Sequence, residues 1–483
     1  MLKKHLLAYL MPNIAQAIAS FGTVAILTRL LTDAEYGRFS LIFTTMTIAH
    51  YIVMNWAEAA AARFYARAEA NGEINNHFKT LIVAFTFNAA LFVVLGALVS
   101  IFYPGDMNVK LALAAAFGGS IVRSLLKIAL ETRRMNLESM HYSMVETFNT
   151  LAGFALTAVF VVWLNLKEEG PFIATMVAAA MALVIEGPFL KKLSNGGKFE
   201  IKLAKEYFHF GWGISGGLLL ATALSVGDRY FIAYFLDDAA VGVYSAGYQI
   251  AARILDILFV YITGVGFPLL VSAFEKGTKE DFKIAAINSC NLRVAIGVPA
   301  AVGIALVSKP LADILIGESL RAPAAQITPY IAAGALFWGL SDYFSDAFVI
   351  SRKVFERAII MTIPAILNMV LNIILLPKMG IMGAAWSTII AYFIGMVILA
   401  LRGRKYIKMP IPWLDIAKVG VSCVLMALAV MMVGRLGGFL ELFVKATVGA
   451  ITYGTAAVIL NFANFRGHAL EIFTKLKGKL NAG

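Results

Sequence analysis

Arg253 lies in the apolar run Ile250-Ala-Ala-Arg253-Ile-Leu-Asp256-Ile-Leu-Phe-Val260. An ionic side chain at the centre of a membrane-spanning helix costs about 2.5–3.5 kcal/mol, so it is expected to face a cavity or a partner. Arg253 falls about 16 Å into the predicted span 243–270, near the midplane of a hydrocarbon core about 30 Å thick. Asp256 follows three residues later on the same helix face. Two readings stand side by side. Either Arg253 and Asp256 form a structural ion pair, or the guanidinium meets an anionic substrate. Its planar fork suits a pyrophosphate, to which it can donate two parallel, permanently charged hydrogen bonds.

Other charges fall inside apolar runs too. Arg123 and Lys127 are four residues apart in one run, and Asp342 and Asp346 share that spacing in another. Such pairs project from one face of a helix. A basic and an acidic face could close against each other as an inner gate, or each could be satisfied within its own bundle. Arg29 and Arg63 lie near span ends, where long side chains reach the head groups, and Arg293 lies at a depth similar to Arg123. With Arg253, these five residues (Arg29, Arg63, Arg123, Lys127 and Arg293) form the set of candidate contacts to an anionic substrate. Proton or sodium coupling, or gating, calls for a membrane carboxylate, and Asp256, Asp342, Asp346 and Glu58 are the candidates. Glu146 and Glu186 lie toward inner ends and are expected to neutralise nearby cations. His50 lies near the middle of its run, as a proton relay or as a histidine bonded to a neighbouring helix. Trp212, Tyr230, Tyr234, Tyr244 and Tyr248 crowd span ends, where aromatic belts form; stacking on sugar rings is the alternative.

Other chemistries find no residues. The two cysteines, Cys290 and Cys423, sit in apolar segments and read as small buried hydrophobes. Six scattered histidines show no metal-ligand spacing, and neither a GxxxxGKS phosphate loop nor a GxSxG elbow occurs. No catalytic residue, metal or cofactor is assigned, and an enzyme is not expected.

The elements that must position these charges follow from composition. Of 483 residues, 60% are hydrophobic and 14% charged, against about 45–50% and about 25% in soluble domains. Roughly 290 apolar residues suffice for about fourteen spans of about 20 residues. The apolar runs place them near 9–31, 39–62, 80–103, 110–130, 142–164, 171–190, 208–231, 243–270, 285–308, 327–350, 358–376, 381–401, 413–434 and 440–463. The fold class is an all-α polytopic membrane protein. With the N-terminus inside, the inner loops and termini carry about 26 basic residues and the outer loops about eight. Both termini are therefore expected in the cytoplasm. The net charge of +12 is read as topological, with anionic lipid head groups as its nearest partners and no nucleic acid. The stretch from Ser308 to Gln326 is expected as the longest outer loop, with no room for a catalytic domain. Lys191 to Lys205 reads as a basic linker.

That linker divides an internal repeat. Leu31-Thr-Asp33-Ala34-Glu-Tyr-Gly37-Arg-Phe39-Ser40 matches Leu236-Asp-Asp238-Ala239-Ala-Val-Gly242-Val-Tyr244-Ser245 at an offset of about 205 residues. The aspartate is expected to cap the incoming helix and the glycine to permit a tight turn. The expected organisation is residues 1–205 as a first six-helix lobe with its linker, 206–402 as a second, and 403–483 as two further spans with a basic cytoplasmic tail.

Leu27-Thr-Arg29-Leu-Leu-Thr-Asp33-Ala-Glu35-Tyr36-Gly37 resembles the opening of polysaccharide-export flippases of the Wzx type. These share a superfamily, the multidrug/oligosaccharidyl-lipid/polysaccharide exporters, with MATE-type extruders and MurJ-type lipid II flippases. Asp228-Arg229 through Tyr244-Ser-Ala246 resembles the family's seventh-to-eighth helix region. Pro299, Lys309-Pro310-Leu311 and Ile314 to Gly317 fit its ninth-helix region, and Pro377 to Thr388 fits its eleventh-to-twelfth turn. The resemblance covers residues 1 to about 402. It implies two six-helix bundles around a central cavity that alternates between faces. It implies a flippase that carries an undecaprenyl-pyrophosphate-linked oligosaccharide from the cytoplasmic to the outer leaflet of a bacterial inner membrane, for O-antigen or exopolysaccharide assembly. Glycan polymerase and chain-length machinery are then candidate partners. It also lends Arg253 weight, because MurJ-type flippases carry an arginine early in helix eight. A lipid II flippase and a multidrug extruder are the alternatives; the extruder's cationic substrates would favour an acidic cavity.

Overall fold

The computed structural model describes residues 2–467, and among these every regular element is helical. The basic tail beyond residue 467 lies outside the described residues. Helices are what long apolar runs must form in lipid, where each backbone donor and acceptor has to be satisfied within its own segment.

The chain divides into two compact units, Met1–Gly242 and Val243–Gly483. The first holds α1 (Leu2–Leu30), α2 (Asp33–Val53), α3 (Asn55–Ala70), α4 (Ile74–Phe102), α5 (Met107–Met135), α6 (Ser139–Val162), α7 (Gly170–Ser194), α8 (Ile201–Val226) and α9 (Asp228–Phe235), and it ends within α10 (Asp238–Lys276). In it α1 packs on α6, both α5 and α6 pack on α7, and α3 packs on α8. Its core joins Ile42, Ala57, Ala60 and Phe64 of α2 and α3 to Phe78, Leu81 and Phe92 of α4, Ala112 and Ala116 of α5, and Tyr207 of α8. The many alanines allow close backbone approach between helices.

The second unit continues α10 with α11 (Lys279–Leu306), α12 (Ser308–Leu315), α13 (Glu318–Ile350), α14 (Val354–Met379), α15 (Ile381–Gly403), α16 (Trp413–Met432) and α17 (Gly438–Leu460). Here α15 packs on α13 and α14, and α16 docks on α11 and α17. Their shared core contains Cys290, Val294, Tyr343, Ala347, Val419, Cys423 and Ala457. Both cysteines are free and buried, as expected.

Large apolar side chains cover the outside: Phe102 is 82% exposed, Val184 78% and Met432 87%. Charges such as Glu186 and Arg293 are buried instead. This inversion suits a lipid solvent. Among the described residues, twelve helical segments are long and apolar enough to cross a membrane. The other two of the fourteen expected spans, 39–62 and 327–350, fall on α2–α3, broken at Met54, and on α13, which are not among the twelve.

Three local expectations are corrected. The linker is shorter than Lys191–Lys205, because α7 runs to Ser194 and α8 starts at Ile201. The outer stretch from Ser308 to Gln326 is folded into α12 and the start of α13. In the repeated motif, the caps are the residues before the aspartates. The Thr32 side chain accepts from the Glu35 backbone in a capping box, and the Ala240 backbone donates to the Asp237 carboxylate at 2.7 Å. Gly37 and Gly242 lie within helices, not turns. A Cβ on Gly37 would stand 1.8 Å from the Asp238 carbonyl oxygen, and one on Gly242 would stand 2.3 Å from that of Asp33. The two motif copies therefore cross backbone to backbone, each glycine against the other copy's first turn.

Candidate functional site

The break at Met54 organises the first unit's polar cluster. It ends α2 just after His50 and starts α3 just before Glu58, so the two side chains meet. His50 Nε2 lies 3.2 Å from Glu58 Oε1, and Lys127 Nζ of α5 lies 2.8 Å from Glu58 Oε2. The other imidazole nitrogen of His50 is 2.9 Å from Ser120 Oγ. Glu58 is 2% exposed, and its position in the first turn of α3 adds the favourable end of the helix dipole. Arg123, one turn before Lys127, makes a two-pronged bond to Glu146 at 3.0 and 2.5 Å. Lys127 and Arg123 keep 43% and 37% of their side chains exposed, so each can still meet a ligand while its carboxylate holds it. Below them, buried Glu186 accepts from Arg133 at 3.0 Å and pairs with His141.

In the second unit, Arg293 is 1% exposed. It donates to Asp346 Oδ2 at 2.9 Å and to the Ser289 hydroxyl, and sits over the Tyr343 ring. Asp342 lies 4.0 Å from the Arg357 guanidinium, which also donates to Ser345 Oγ. The four charges read as two opposing faces, Arg123 with Lys127 and Asp342 with Asp346, are thus each paired inside their own unit.

Arg253 differs from these. It is half-buried on α10, and among the described residues its buried Nε has no acceptor and no carboxylate comes within 4.0 Å of its guanidinium. Asp256 is exposed and, despite its spacing, forms no ion pair with Arg253 within 4.0 Å. Arg29, at the exposed end of α1, donates to the Ala25 carbonyl at 2.8 Å. Arg63 is exposed on α3 with its guanidinium 5.8 Å from the Phe210 ring centre.

Sequence reasoning missed a second cluster beside the repeated motif. Arg38 of α2 donates to Glu168 Oε1 at 2.8 Å and lies 3.9 Å from Asp238, while Lys167 binds Glu35 at 2.7 Å. Burial works against the Glu35 charge, but hydrogen bonds from Lys167 and Thr32 outweigh it and hold the carboxyl below its usual range. The available signal was the shared motif itself, since Arg38 adjoins its glycine.

Among known families, the one described as "Polysaccharide biosynthesis protein" matches residues 2–274, and "Lipid II flippase MurJ" matches residues 172–453. An "Uncharacterized membrane protein MJ1068" of Methanocaldococcus jannaschii is 27% identical over 50% of this chain and 49% of its own length. The "Probable low-salt glycan biosynthesis flippase Agl15" of Haloferax volcanii is 22% identical over 48% of this chain and 49% of its length. The "Probable flippase AglR" of the same organism is 23% identical over 52% and 53%. The chain spans about half the length of the curated relatives it matches.

In fold, the chain is similar to "Lipid II flippase MurJ, inward closed conformation", with a TM-score of 0.78 and 13% identity over 94% of this chain and 99% of that one. An inward-facing MATE family transporter follows with a TM-score of 0.67 and 11% identity, over 86% and 99%. The fold is that of MurJ and MATE proteins, and the chain belongs to the polysaccharide biosynthesis protein family of the multidrug/oligosaccharidyl-lipid/polysaccharide exporter superfamily.

Proposed function

We propose that this chain is a flippase that carries a polyprenyl-pyrophosphate-linked oligosaccharide from the cytoplasmic to the outer leaflet by alternating access. No covalent bond changes. In its finest terms the carrier is undecaprenyl pyrophosphate, the membrane a bacterial inner membrane, and the destination O-antigen or exopolysaccharide. Glycan polymerase and chain-length machinery then take the product. The repeat assigns residues 1–205 and 206–402 to the two lobes and 403–483 to an appendage.

The observation that carries this reading is the state of Arg253. Each of Arg123, Lys127 and Arg293 is met by a carboxylate. Arg253 interacts with Asp256 only at longer range, has no carboxylate within 4.0 Å among the described residues, and lies near the middle of a long apolar helix. A guanidinium left without a close ion pair there is stabilised by an anionic ligand that arrives and departs. Arg29, Arg63, Arg123 and Lys127 assist along the path, whereas Arg293, 1% exposed and held by Asp346, does not reach it in this conformation. Asp256, Asp342, Asp346 and Glu58 serve gating or ion coupling. The names of the Haloferax relatives point the same way, toward glycan transport.

The test is binding of prenyl-pyrophosphate oligosaccharide to purified protein, with thermal melting alongside. Arg253→Ala should weaken binding at least tenfold and leave the melting temperature close to wild type. Arg253→Lys should recover part of the loss, because an ammonium keeps the charge without the fork. Unchanged binding by a stable Arg253→Ala protein would overturn the assignment. A lipid II flippase is the second reading, favoured by the MurJ family match over residues 172–453. Preferential binding of lipid II over other prenyl-linked glycans would establish it.

A further inference from the structure

His50 is a titratable group inside the first unit's polar cluster that the proposed transport does not use. Its surroundings are fixed by the break at Met54, which is anchored to α8. Asn55 donates to Ser215 Oγ at 3.1 Å. Gly211 lets the Trp56 carbonyl approach so closely that a Cβ there would stand 2.2 Å from its oxygen. With α3 held in this way, Glu58 stands between His50 Nε2 at 3.2 Å and Lys127 Nζ at 2.8 Å. Both Glu58 oxygens are buried and neither makes a well-aligned hydrogen bond, so the carboxylate keeps acceptor capacity for a second cation. On the other side of the imidazole, Nδ1 lies 2.9 Å from Ser120 Oγ. A hydroxyl donates to an unprotonated ring nitrogen and accepts from a protonated one. His50 can therefore gain a proton without losing either neighbour.

The charges around it balance while His50 is neutral. Glu58 faces Lys127, Glu146 of α6 holds Arg123, and Glu131 on α5 pairs with Arg134. Tyr51 adjoins His50 on α2, and Tyr142 of α6 lies near Arg123. Helices α1, α4, α8 and α9 also pack on α2, and among the described residues they bring no further ion-pair partner to His50 or Glu58. One added proton makes the cluster net positive and gives Glu58 two cations to share. Lys127, partly exposed, is then freer to turn to an anion.

We propose that His50 is a positioning residue that takes up a proton together with the anionic substrate, so that the imidazolium occupies Glu58 while Lys127 turns to the carrier's phosphates. The site rests on the flippase reading and adds a coupled proton to it. The proton comes from water and is held between Nδ1 and Ser120; no bond in the substrate forms or breaks. Histidine suits this work because its charge changes within the physiological range. Proton and phosphate each favour the binding of the other by the same factor, because linkage is reciprocal. Binding therefore tightens as pH falls, by up to about tenfold per pH unit where one proton is taken up.

The test is calorimetric titration of the full chain in lipid nanodiscs with prenyl-pyrophosphate oligosaccharide, between about pH 6 and about pH 8. Buffers of different ionisation heat count the protons taken up, and the ligand's own titration is measured without protein and subtracted. Wild type should take up a proton with the ligand and bind it at least tenfold more tightly at the acid end. His50→Gln keeps a polar side chain between Ser120 and Glu58 that cannot charge, and should lose both the proton and the gain in affinity. If that variant does not fold, Ser120→Ala, which removes the partner of Nδ1 and keeps the ring, should lower the proton count. A wild type that takes up no proton overturns the proposal. So does an unchanged proton count in the folded variant; a lower melting temperature alongside it would mark His50 as structural. If wild type binds no substrate at any pH, the flippase reading fails and the coupling falls with it. If it binds and the variant keeps the wild-type proton count, only the coupling fails.

Discussion

At the scale of single residues, the cost of a buried charge located the candidate site, and the partners set what each charge does. Glu58, Arg123, Lys127, Arg293 and Asp346 were legible because ionic groups in apolar runs demand an explanation. Their pairings were not, because Glu58 meets Lys127 and Arg293 meets Asp346 across different helices, and helix contacts leave little trace in one chain's periodicity. Burial now separates two of these pairs. Asp346→Asn would strand Arg293, which is 1% exposed, and should cost about 3–5 kcal/mol, as for a broken buried ion pair. Glu58→Gln would strand Lys127, whose side chain is 43% exposed and can reach polar surroundings, so its cost should be smaller, about 1–3 kcal/mol. Melting curves of the two variants in the same detergent would check this order, and an Asp346→Asn protein as stable as wild type would refute it. Replacing both Arg293 and Asp346 by apolar residues of similar size should be milder than Asp346→Asn alone, because no charge is left unpaired.

At the scale of elements, hydrophobic runs gave the order of the helices and twelve of the fourteen expected spans, while the details depended on polar residues. The break at Met54 had no proline or glycine to announce it, yet it brings His50 to Glu58. The repeated motif was visible, but its glycine was assigned to a turn because glycine serves turns and close crossings alike, and one sequence does not distinguish them. The crossing makes a sharp prediction. Gly37→Ala places a Cβ 1.8 Å from the Asp238 carbonyl, and Gly242→Ala one 2.3 Å from that of Asp33. Backbone atoms cannot rotate away as a side chain can, so both variants should melt several degrees lower and transport poorly. Gly303→Ala, where a Cβ meets nothing, should match wild type. If all three behave alike by melting and by glycan transport, the backbone crossing does not hold the folded state.

At the scale of the whole molecule, charge bias turns the helix order into a topology. An arginine or lysine is hard to move across a membrane during insertion, so short loops rich in them stay inside. The six-residue connection between α7 and α8, with Lys191, Lys192 and Lys198 nearby, is among the strongest such signals. The connection between α16 and α17 holds Arg435 as its single basic residue and belongs to the opposite face if fourteen spans alternate. This arrangement depends on α2–α3 and α13 crossing the membrane although their composition is marginal; if only one of them crossed, part of the alternation after it would invert. Cys290 and Cys423 are buried, so a cysteine introduced on the surface should dominate labelling of intact cells. Arg435→Cys should react with a membrane-impermeant maleimide from outside. Lys198→Cys should react only after the membrane is opened. Labelling of both from outside, or of neither, would mean an even number of crossings between residues 198 and 435 in place of the predicted seven, and would reject α13 as a span; labelling in the reverse order would place the basic loops outside and reject the charge argument altogether.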